Sequence, residues 1–290
     1  MLPALLGLRP VGPSHTALAA RVGGRVVVVT GASRGIGADA AQRLALAGAR
    51  VVLVARDAQT LEPVARRIRA RGGWALVVPA DLRDPDAAAA AAERILAEAG
   101  TPEIVVSNAG HSIRRRLVDY ADRPHDVTRT IGVNYIGPVA LLQVLAPAMI
   151  AAGRGQIISI GSISIDVPAP GWSVYGASKT AFDVWLRAVA PELSPHGIAV
   201  TSIHLPLVRT RMSAPTYGDA RVAMRPVDVS KLIARAIVDR PRLISPWWAR
   251  LAGAVLVAFP GLGDPVLLAY ERRLGAGGTG PGGTGPGTPG

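Results

Sequence analysis

Tyr175-Gly-Ala-Ser-Lys179 stands out because lysine is so scarce in this chain. Of 32 basic residues only Lys179 and Lys231 are lysines, and every other cation is arginine. A helix stacks residues four apart on one face, so this spacing brings a phenol and an ammonium group together. A free phenol, with a pKa near ~10, is a poor proton donor at neutral pH. A neighbouring ammonium stabilises the phenolate, lowers that pKa and makes the tyrosine a general acid/base. Arginine is no equivalent partner for this task.

A second group of residues suits phosphate binding. Thr30-Gly31-Ala32-Ser33-Arg34-Gly35-Ile36-Gly37 follows an apolar run and opens a helical pattern. In that strand–turn–helix context, Gly31, Gly35 and Gly37 permit a tight turn and a close backbone approach to a pyrophosphate. The helix N-terminus adds amide donors and a positive dipole. The end of the next apolar run is informative as well. Enzymes that prefer NAD place a carboxylate there for the adenosine ribose 2′-hydroxyl. Here Ala55 is followed by Arg56, and Arg34 sits inside the glycine turn. Two guanidiniums favour a 2′-phosphate, hence NADPH over NADH, with Asp57 the acid that could reach back to the hydroxyl instead.

These residues need a frame. Short β-branched runs at Arg25–Thr30, Arg50–Ala55, Trp74–Pro79, Glu103–Ser107, Gln156–Ile160, Ala199–His204 and, weakly, Arg242–Ile244 alternate with helical patterns. The helices are expected near 36–48, 58–71, 84–99, 121–152, 174–194 and 227–240. Continuous apolar strands alternating with helices predict an α/β fold. It is a doubly wound parallel sheet of Rossmann type, about seven strands with helices on both faces. Ligands then bind at the carboxyl ends of the strands. Residues 205–225 read as a long loop, a candidate lid.

The order TGxxxGxG then YxxxK resembles the short-chain dehydrogenase/reductase family over about residues 23–245. Asn108-Ala109-Gly110, after Ser107, is similar to the family's NNAG element, with serine in place of its first asparagine. Asn134 falls where the family has its structural-catalytic asparagine. Ser162, thirteen residues before Tyr175, falls where the catalytic serine belongs, with Ser159 and Ser164 as decoys. Pro206, Val208 and Thr210 match the loop that meets the nicotinamide, although Leu207 replaces the usual glycine. Asp81-Leu82 matches the adenine contact.

The resemblance implies roles. Tyr175 protonates the developing alkoxide, Ser162 polarises the carbonyl, and Lys179 lowers the tyrosine pKa and binds ribose hydroxyls. Asn134 holds a water that connects Lys179 to solvent. Gly31, Ser33, Arg34, Gly35, Ile36, Gly37, Arg56, Asp81, Leu82, Asn108, Ala109, Gly110, Tyr175, Lys179, Pro206, Val208 and Thr210 form the cofactor set.

A narrower likeness is to the reductase domain of actinobacterial fatty acyl-CoA and fatty aldehyde reductases. Ser112-Ile113-Arg114-Arg115-Arg116, Asn134-Tyr135, Pro206-Leu207-Val208-Arg209-Thr210-Arg211-Met212, Ala214-Pro215-Thr216 and the tail from Arg240 through Trp247-Trp248 to Tyr270 carry it. It implies reduction of a fatty aldehyde or acyl derivative. The rivals are a 3-oxoacyl or polycyclic ketone reductase and a non-catalytic dinucleotide-binding protein.

Composition bounds the partners. The 290 residues, 49% hydrophobic and 18% charged, suffice for one large domain. Residues 1–22 read as an N-terminal extension, 23–245 as the cofactor-binding and catalytic domain, 246–274 as an apolar C-terminal extension, and 275–290 as a disordered Gly/Pro/Thr tail. No run of the sequence reads as a spanning helix. A net charge of +12 calls for an anionic partner, yet only seven Phe or Tyr residues are available for base stacking. We therefore expect no nucleic acid, but a small phosphate-bearing molecule or an anionic membrane surface. The run Arg114-Arg115-Arg116 reads either as a substrate-phosphate site or as a solvated face. The histidines lack metal-ligand spacing, so no metal is expected. Zero cysteines exclude disulfides and thiolate catalysis and fit a cytoplasmic protein. Residues 247–270 suit a peripheral membrane contact or the wall of a lipid tunnel, or else closure of the core or a subunit interface. A homo-oligomer is expected.

Overall fold

The strands are continuous apolar runs because both of their faces are covered. They are β1 (Val26–Thr30), β2 (Arg50–Ala55), β3 (Trp74–Pro79), β4 (Ile104–Ser107), β5 (Gly155–Ser162), β6 (Ile198–Leu205) and β7 (Leu243–Ile244). Every residue of β1 and β4 is buried. In the computed structural model, which describes residues 7–217 and 223–276, the seven form one parallel sheet ordered β3-β2-β1-β4-β5-β6-β7. The order reverses between β1 and β4, where doubly wound sheets open a crevice for ligands.

The helices are α1 (His15–Val22), α2 (Gly35–Leu46), α3 (Ala58–Arg69), α4 (Pro85–Ala99), α5 (Pro124–Ile131), α6 (Gly137–Ala151), α7 (Ser173–Leu193), α8 (Ala214–Tyr217), α9 (Pro226–Asp239), α10 (Trp247–Ala258) and α11 (Pro260–Ala276). Local chemistry starts several of them. Ser14, Asp57 and Asp84 cap α1, α3 and α4 with their side chains, and Pro85 occupies the first turn of α4. Residues of α1, α2, α3 and α9 bury one face of the sheet, with Leu44, Leu61 and Ile233 at its centre. Residues of α4, α6 and α7 bury the other, around Ile95, Leu145 and Leu186.

Four sequence expectations change in the folded chain. The helix foreseen over 121–152 runs continuously over Pro124–Ala151, α5 and α6, with a π-helical turn at Gly132–Ile136 inside it. The neighbouring backbone packs closely at this turn: a side chain on Gly137 would collide with the Leu82 carbonyl oxygen, and one on Gly132 would lie 3.0 Å from that of Arg83. With this turn included, Pro124–Ala151 is long and apolar enough by length and composition to cross a membrane. It packs as a core helix, burying Leu141, Leu142, Leu145 and Met149. The N-terminal extension is not separate from the core, because Leu8, Leu18 and Val22 are buried within it. Part of the 205–225 loop is ordered by a bridge between Val208 and Met224 and by α8. The tail expected from residue 275 starts inside α11, which reaches Ala276, and 277–290 lie outside the described residues.

Candidate active site

The parallel sheet brings the carboxyl ends of β1 to β6 to one edge, and with them most of the residues singled out above. At the centre, the end of β4 is sewn to the end of β1. The Thr30 hydroxyl accepts hydrogen bonds from the backbone amides of Asn108 and Ala109, each 2.9 Å. The Asn108 Nδ2 donates to the Thr30 carbonyl at 2.9 Å. Gly31 adopts φ +64° there, and a Cβ on it would stand 2.9 Å from both Ala109 Cα and Asn108 Nδ2. A Cβ on Gly37 would collide with the Gly31 carbonyl oxygen. These glycines let the start of α2 approach β1 closely. Arg34 at its N-cap offers no side-chain hydrogen bond to the first turn, so the α2 amides face the crevice uncapped. The donor set fits a dinucleotide pyrophosphate. Ser33 and Ile36 complete the turn, both half-buried. Thr210, on the loop after β6, reaches over it to within 3.6 Å of a Cβ built on Gly35. Pro206 and Val208 are buried at the root of that loop.

The chemistry-bearing residues converge beside the end of β5. Lys179 is buried and donates from Nζ to the Ile160 carbonyl at 2.9 Å. Burial lowers its pKa to about 8. One of its three donors is thereby used and two remain for other partners. Asn134, buried in the π-helical turn, grips the chain after Gly110: its Oδ1 accepts from the His111 amide at 2.8 Å and its Nδ2 donates to the His111 carbonyl at 2.9 Å. The same Nδ2 donates to Ser178 Oγ at 2.8 Å, and Ser178 Oγ donates to the Tyr175 carbonyl at 2.7 Å. Asn134 is thus tied to the helical turn that spans Tyr175 and Lys179. A Cβ on Gly110 would lie 2.9 Å from Asn134 Oδ1 and 3.2 Å from Lys179 Nζ; glycine admits both. Tyr175 stands one turn before Lys179 on α7, its ring in edge contact with Trp172 at 5.7 Å. Ser162 closes β5, and its Oγ accepts from the Ser164 amide at 3.2 Å. Its own proton has no acceptor among the described residues. Of the decoys, Ser159 is buried inside the sheet opposite Ser107 and Ser202, and the Ser164 hydroxyl is buried without a partner.

Known proteins share this arrangement. Residues 25–220 match the family model of short chain dehydrogenases. The chain belongs to the short-chain dehydrogenase family. A fatty acyl-CoA reductase of Acinetobacter baylyi is 42% identical over 244 residues, 84% of this chain and 83% of that one. A fatty acyl-CoA reductase of Mycobacterium tuberculosis is 39% identical over 234 residues, 80% and 79% of the two chains. A metagenomic short-chain oxidoreductase solved in complex with NADP superposes with a TM-score of 0.67 at 36% identity, covering 78% of this chain and 97% of its own. This short-chain dehydrogenase is accordingly an NAD(P)-dependent oxidoreductase.

At the carboxyl ends of β1, β2 and β3, charges divide unevenly. Arg34 and Arg56 are exposed. Asp57 caps α3, accepting from the Gln59 amide at 2.8 Å, so the acid nearest Arg56 is already engaged. Asp81 chelates Arg83, whose Nε lies 2.9 and 3.0 Å from its two oxygens. Hydrogen bonds from Arg83 hold the Asp81 carboxyl below the usual range against its partial burial, and the Arg56 charge adds to this. Leu82 is buried behind it.

The Arg114–Arg116 run divides, with Arg115 half-buried and Arg114 and Arg116 exposed. Arg115 pairs with the fully buried Asp126 at 2.9 Å, and Asp126 also pairs with Arg129 at 2.5 Å. Arg116 pairs with Glu271 of α11 at 3.1 Å. Only Arg114 is left exposed without an ion pair among the described residues. The C-terminal helices of the dehydrogenase therefore reach the segments that follow Gly110 and Ser162. α11 meets the segment after Gly110, and α10 packs on the turn after Ser162, where a Cβ on Gly253 would be 2.5 Å from the Asp166 carbonyl oxygen.

Sequence reasoning missed Ser178, the His111 backbone and the spacing role of Gly110. Ser178 had a signal, since Tyr175, Ser178, Lys179 and Phe182 share one helical face. The pairing of Asn134 with His111 and Ser178 had none.

The glycine turn yields a direct check. Gly37→Ala is expected to destabilise the protein by about 1–3 kcal/mol, as forced overpacking does, and to weaken binding of the nicotinamide cofactor, because the Gly31 carbonyl must move. Thermal unfolding and cofactor titration measure both. Unchanged values in the variant would contradict the close approach.

Proposed function

We propose that this dehydrogenase uses NADPH to reduce the carbonyl of an apolar substrate, a fatty aldehyde or acyl derivative. The observation that carries the reading is the cluster of Lys179, Asn134 and Gly110 at the Ile160 carbonyl, two residues before Ser162 and one helical turn from Tyr175. NADPH, when bound, supplies the hydride. Gly31, Gly35 and Gly37 leave room for its phosphates, Arg34 and Arg56 bind the 2′-phosphate, and Asn108 to Gly110 with Pro206, Val208 and Thr210 border the nicotinamide end. Ser162 donates its uncommitted hydroxyl proton in a hydrogen bond to the substrate oxygen. Tyr175 delivers a proton to that oxygen as negative charge develops, so an aldehyde leaves as an alcohol, whereas an acyl thioester gives a hemithioacetal that releases its thiol and leaves as the aldehyde. Lys179 directs its remaining donors to the tyrosine oxygen and the ribose hydroxyls, and its charge favours the phenolate that each turnover leaves behind. The Asn134 side chain is occupied by His111 and Ser178. Any water relayed from Lys179 to solvent is therefore held by its backbone carbonyl, in the π-helical turn.

The names of the two bacterial relatives and the exposed apolar hairpin of α10 and α11 support a lipid substrate. Leu251, Val257, Phe259, Leu262 and Val266 are all more than half exposed, the two helices meet at 119°, and both lean on the segments that flank Ser162 and Gly110. We infer that this hairpin receives an acyl chain and touches the membrane surface from which it comes.

NADPH oxidation with a series of aldehydes, acyl-CoA thioesters and ketones tests the reading. kcat/KM is expected to rise about four-fold per methylene while the chain stays in contact, the equivalent of ~0.8 kcal/mol each. β7 and the buried Ala249 belong to the folded domain, so the informative truncation ends at Ala258. It should flatten that rise while sparing short aldehydes. A fixed preference for compact polar carbonyls would reject the lipid assignment and leave the reductase.

A further inference from the structure

His204 is buried near the end of β6 with a carboxylate on each ring nitrogen. Its Nδ1 lies 2.9 Å from Asp166 Oδ2 and its Nε2 lies 3.2 Å from Asp183 Oδ1. A neutral imidazole has one N–H and one lone pair, so it would set that lone pair against a buried carboxylate. Only the doubly protonated ring satisfies both partners. Each carboxylate is braced from elsewhere. Asp183 on α7 also accepts from Ser202 Oγ at 2.7 Å and pairs with Arg187 at 3.1 Å. Asp166 also accepts from Ser245 Oγ, between β7 and α10, at 3.0 Å. The charged groups facing the ring are thus Asp166, Asp183 and, behind Asp183, Arg187 among the described residues; Gly253 of α10 approaches the Asp166 backbone.

The position matters as much as the chemistry. His204 is the register partner of Gly161 and Leu205 that of Ser162. A Cβ on Gly161 would come within 3.1 Å of the ring, so the imidazole lies directly behind the strand end that carries Ser162. Asp166 closes the short helical turn that Ser162 caps. Asp183 sits one turn beyond Lys179, on the helix of Tyr175.

We infer that His204 is a positioning residue for the reaction. As a doubly protonated ring it clamps the Ser162 turn to the Tyr175–Lys179 helix, and through Asp166 and Ser245 it holds α10 against the same turn. The inference rests on the proposed roles of Ser162, Tyr175 and Lys179.

Burial alone would drain the proton from this ring, but hydrogen bonds and charge from Asp166 and Asp183 outweigh it and raise His204 to about 9. A folded-state pKa above the unfolded one means the clamp stabilises fully below about pH 6.5 and weakens as pH rises through 9. Lys179 works oppositely only above about 8, so His204 dominates between about 6.5 and 8. The melting temperature is expected to fall with pH across that interval and to stay flat in His204→Gln.

The experiment combines imidazole NMR titration with pH-dependent kinetics on unmodified protein, Asp166→Asn, His204→Gln and Tyr175→Phe. The His204 resonances should titrate near 9 in the unmodified protein and lower in Asp166→Asn. The alkaline limb of kcat should move down with them, while KM for NADPH holds. His204→Gln should lose about 10- to 100-fold in kcat, the scale of small misplacements in an active site. A ring that titrates at or below about 6.5 overturns the clamp even where His204→Gln fails to fold. So does a kcat limb that ignores the Asp166→Asn shift while Tyr175→Phe is inactive. A Tyr175→Phe protein that keeps its turnover overturns the site reading itself, and with it the role of the clamp in the reaction, without altering the NMR midpoint.

Discussion

Tyr175→Phe is expected to lower kcat by roughly 10²–10⁴-fold, the usual contribution of a positioned general acid, while NADPH still binds. The phenyl ring keeps its edge contact with Trp172, 5.7 Å between centroids, and the α7 backbone that Ser178 and Asn134 brace is untouched. The loss therefore isolates the hydroxyl. Lys179 spends one of its donors on the Ile160 carbonyl, and burial and the charge of Arg129 hold the His111 imidazole below its usual pKa. Stopped-flow NADPH oxidation with a saturating aldehyde measures the change. Near-normal turnover in Tyr175→Phe would mean that the proton comes from elsewhere, and the assignment would fall.

The second large effect concerns the cofactor. Charge-assisted hydrogen bonds contribute roughly 1.5–3 kcal/mol each. Arg34 and Arg56 are exposed, so screening trims both, to about 3 kcal/mol together, or on the order of 10²-fold in favour of NADPH. Replacing both with alanine should erase most of that preference by weakening NADPH and leaving NADH nearly unchanged. The acids nearby do not reverse the balance, because Asp57 is spent on its helix cap and Asp81 on Arg83. Fluorescence titration at two ionic strengths measures it, and the preference should shrink as salt rises. Equal affinities for the two cofactors in the unmodified protein would show that the ribose site is misread.

Some of this protein was legible without a structure, because the relevant physics is local. A spacing of four on a helix puts Tyr175 and Lys179 on one face wherever that helix packs. Three glycines between a strand and a helix predict a phosphate turn, and continuous Val/Ile runs alternating with helices predict a parallel sheet. The sheet then carries the ends of its strands, and Gly31, Arg56, Asp81, Asn108, Ser162 and Pro206 with them, to one edge.

What the tertiary structure decided lies in pairings between distant segments. Asn134 meets His111 and Ser178 across 23 and 44 residues, and nothing in the periodicity of any segment encodes that meeting. The same holds for the arginine run. Arg115 and Arg116 look alike in the sequence, and differ only because Asp126 is buried beneath one, while Glu271 arrives from α11 beside the other, which stays exposed. The helix foreseen over 121–152 takes a π-helical turn at Gly132–Ile136, where the chain after β3 packs against it. His204 looked like a histidine without a role; two carboxylates, from a turn 38 residues away and a helix 21 residues away, make it a buried cation. Helical and strand periods are properties of neighbouring residues, whereas the charge state of a buried group depends on whatever the fold sets against it.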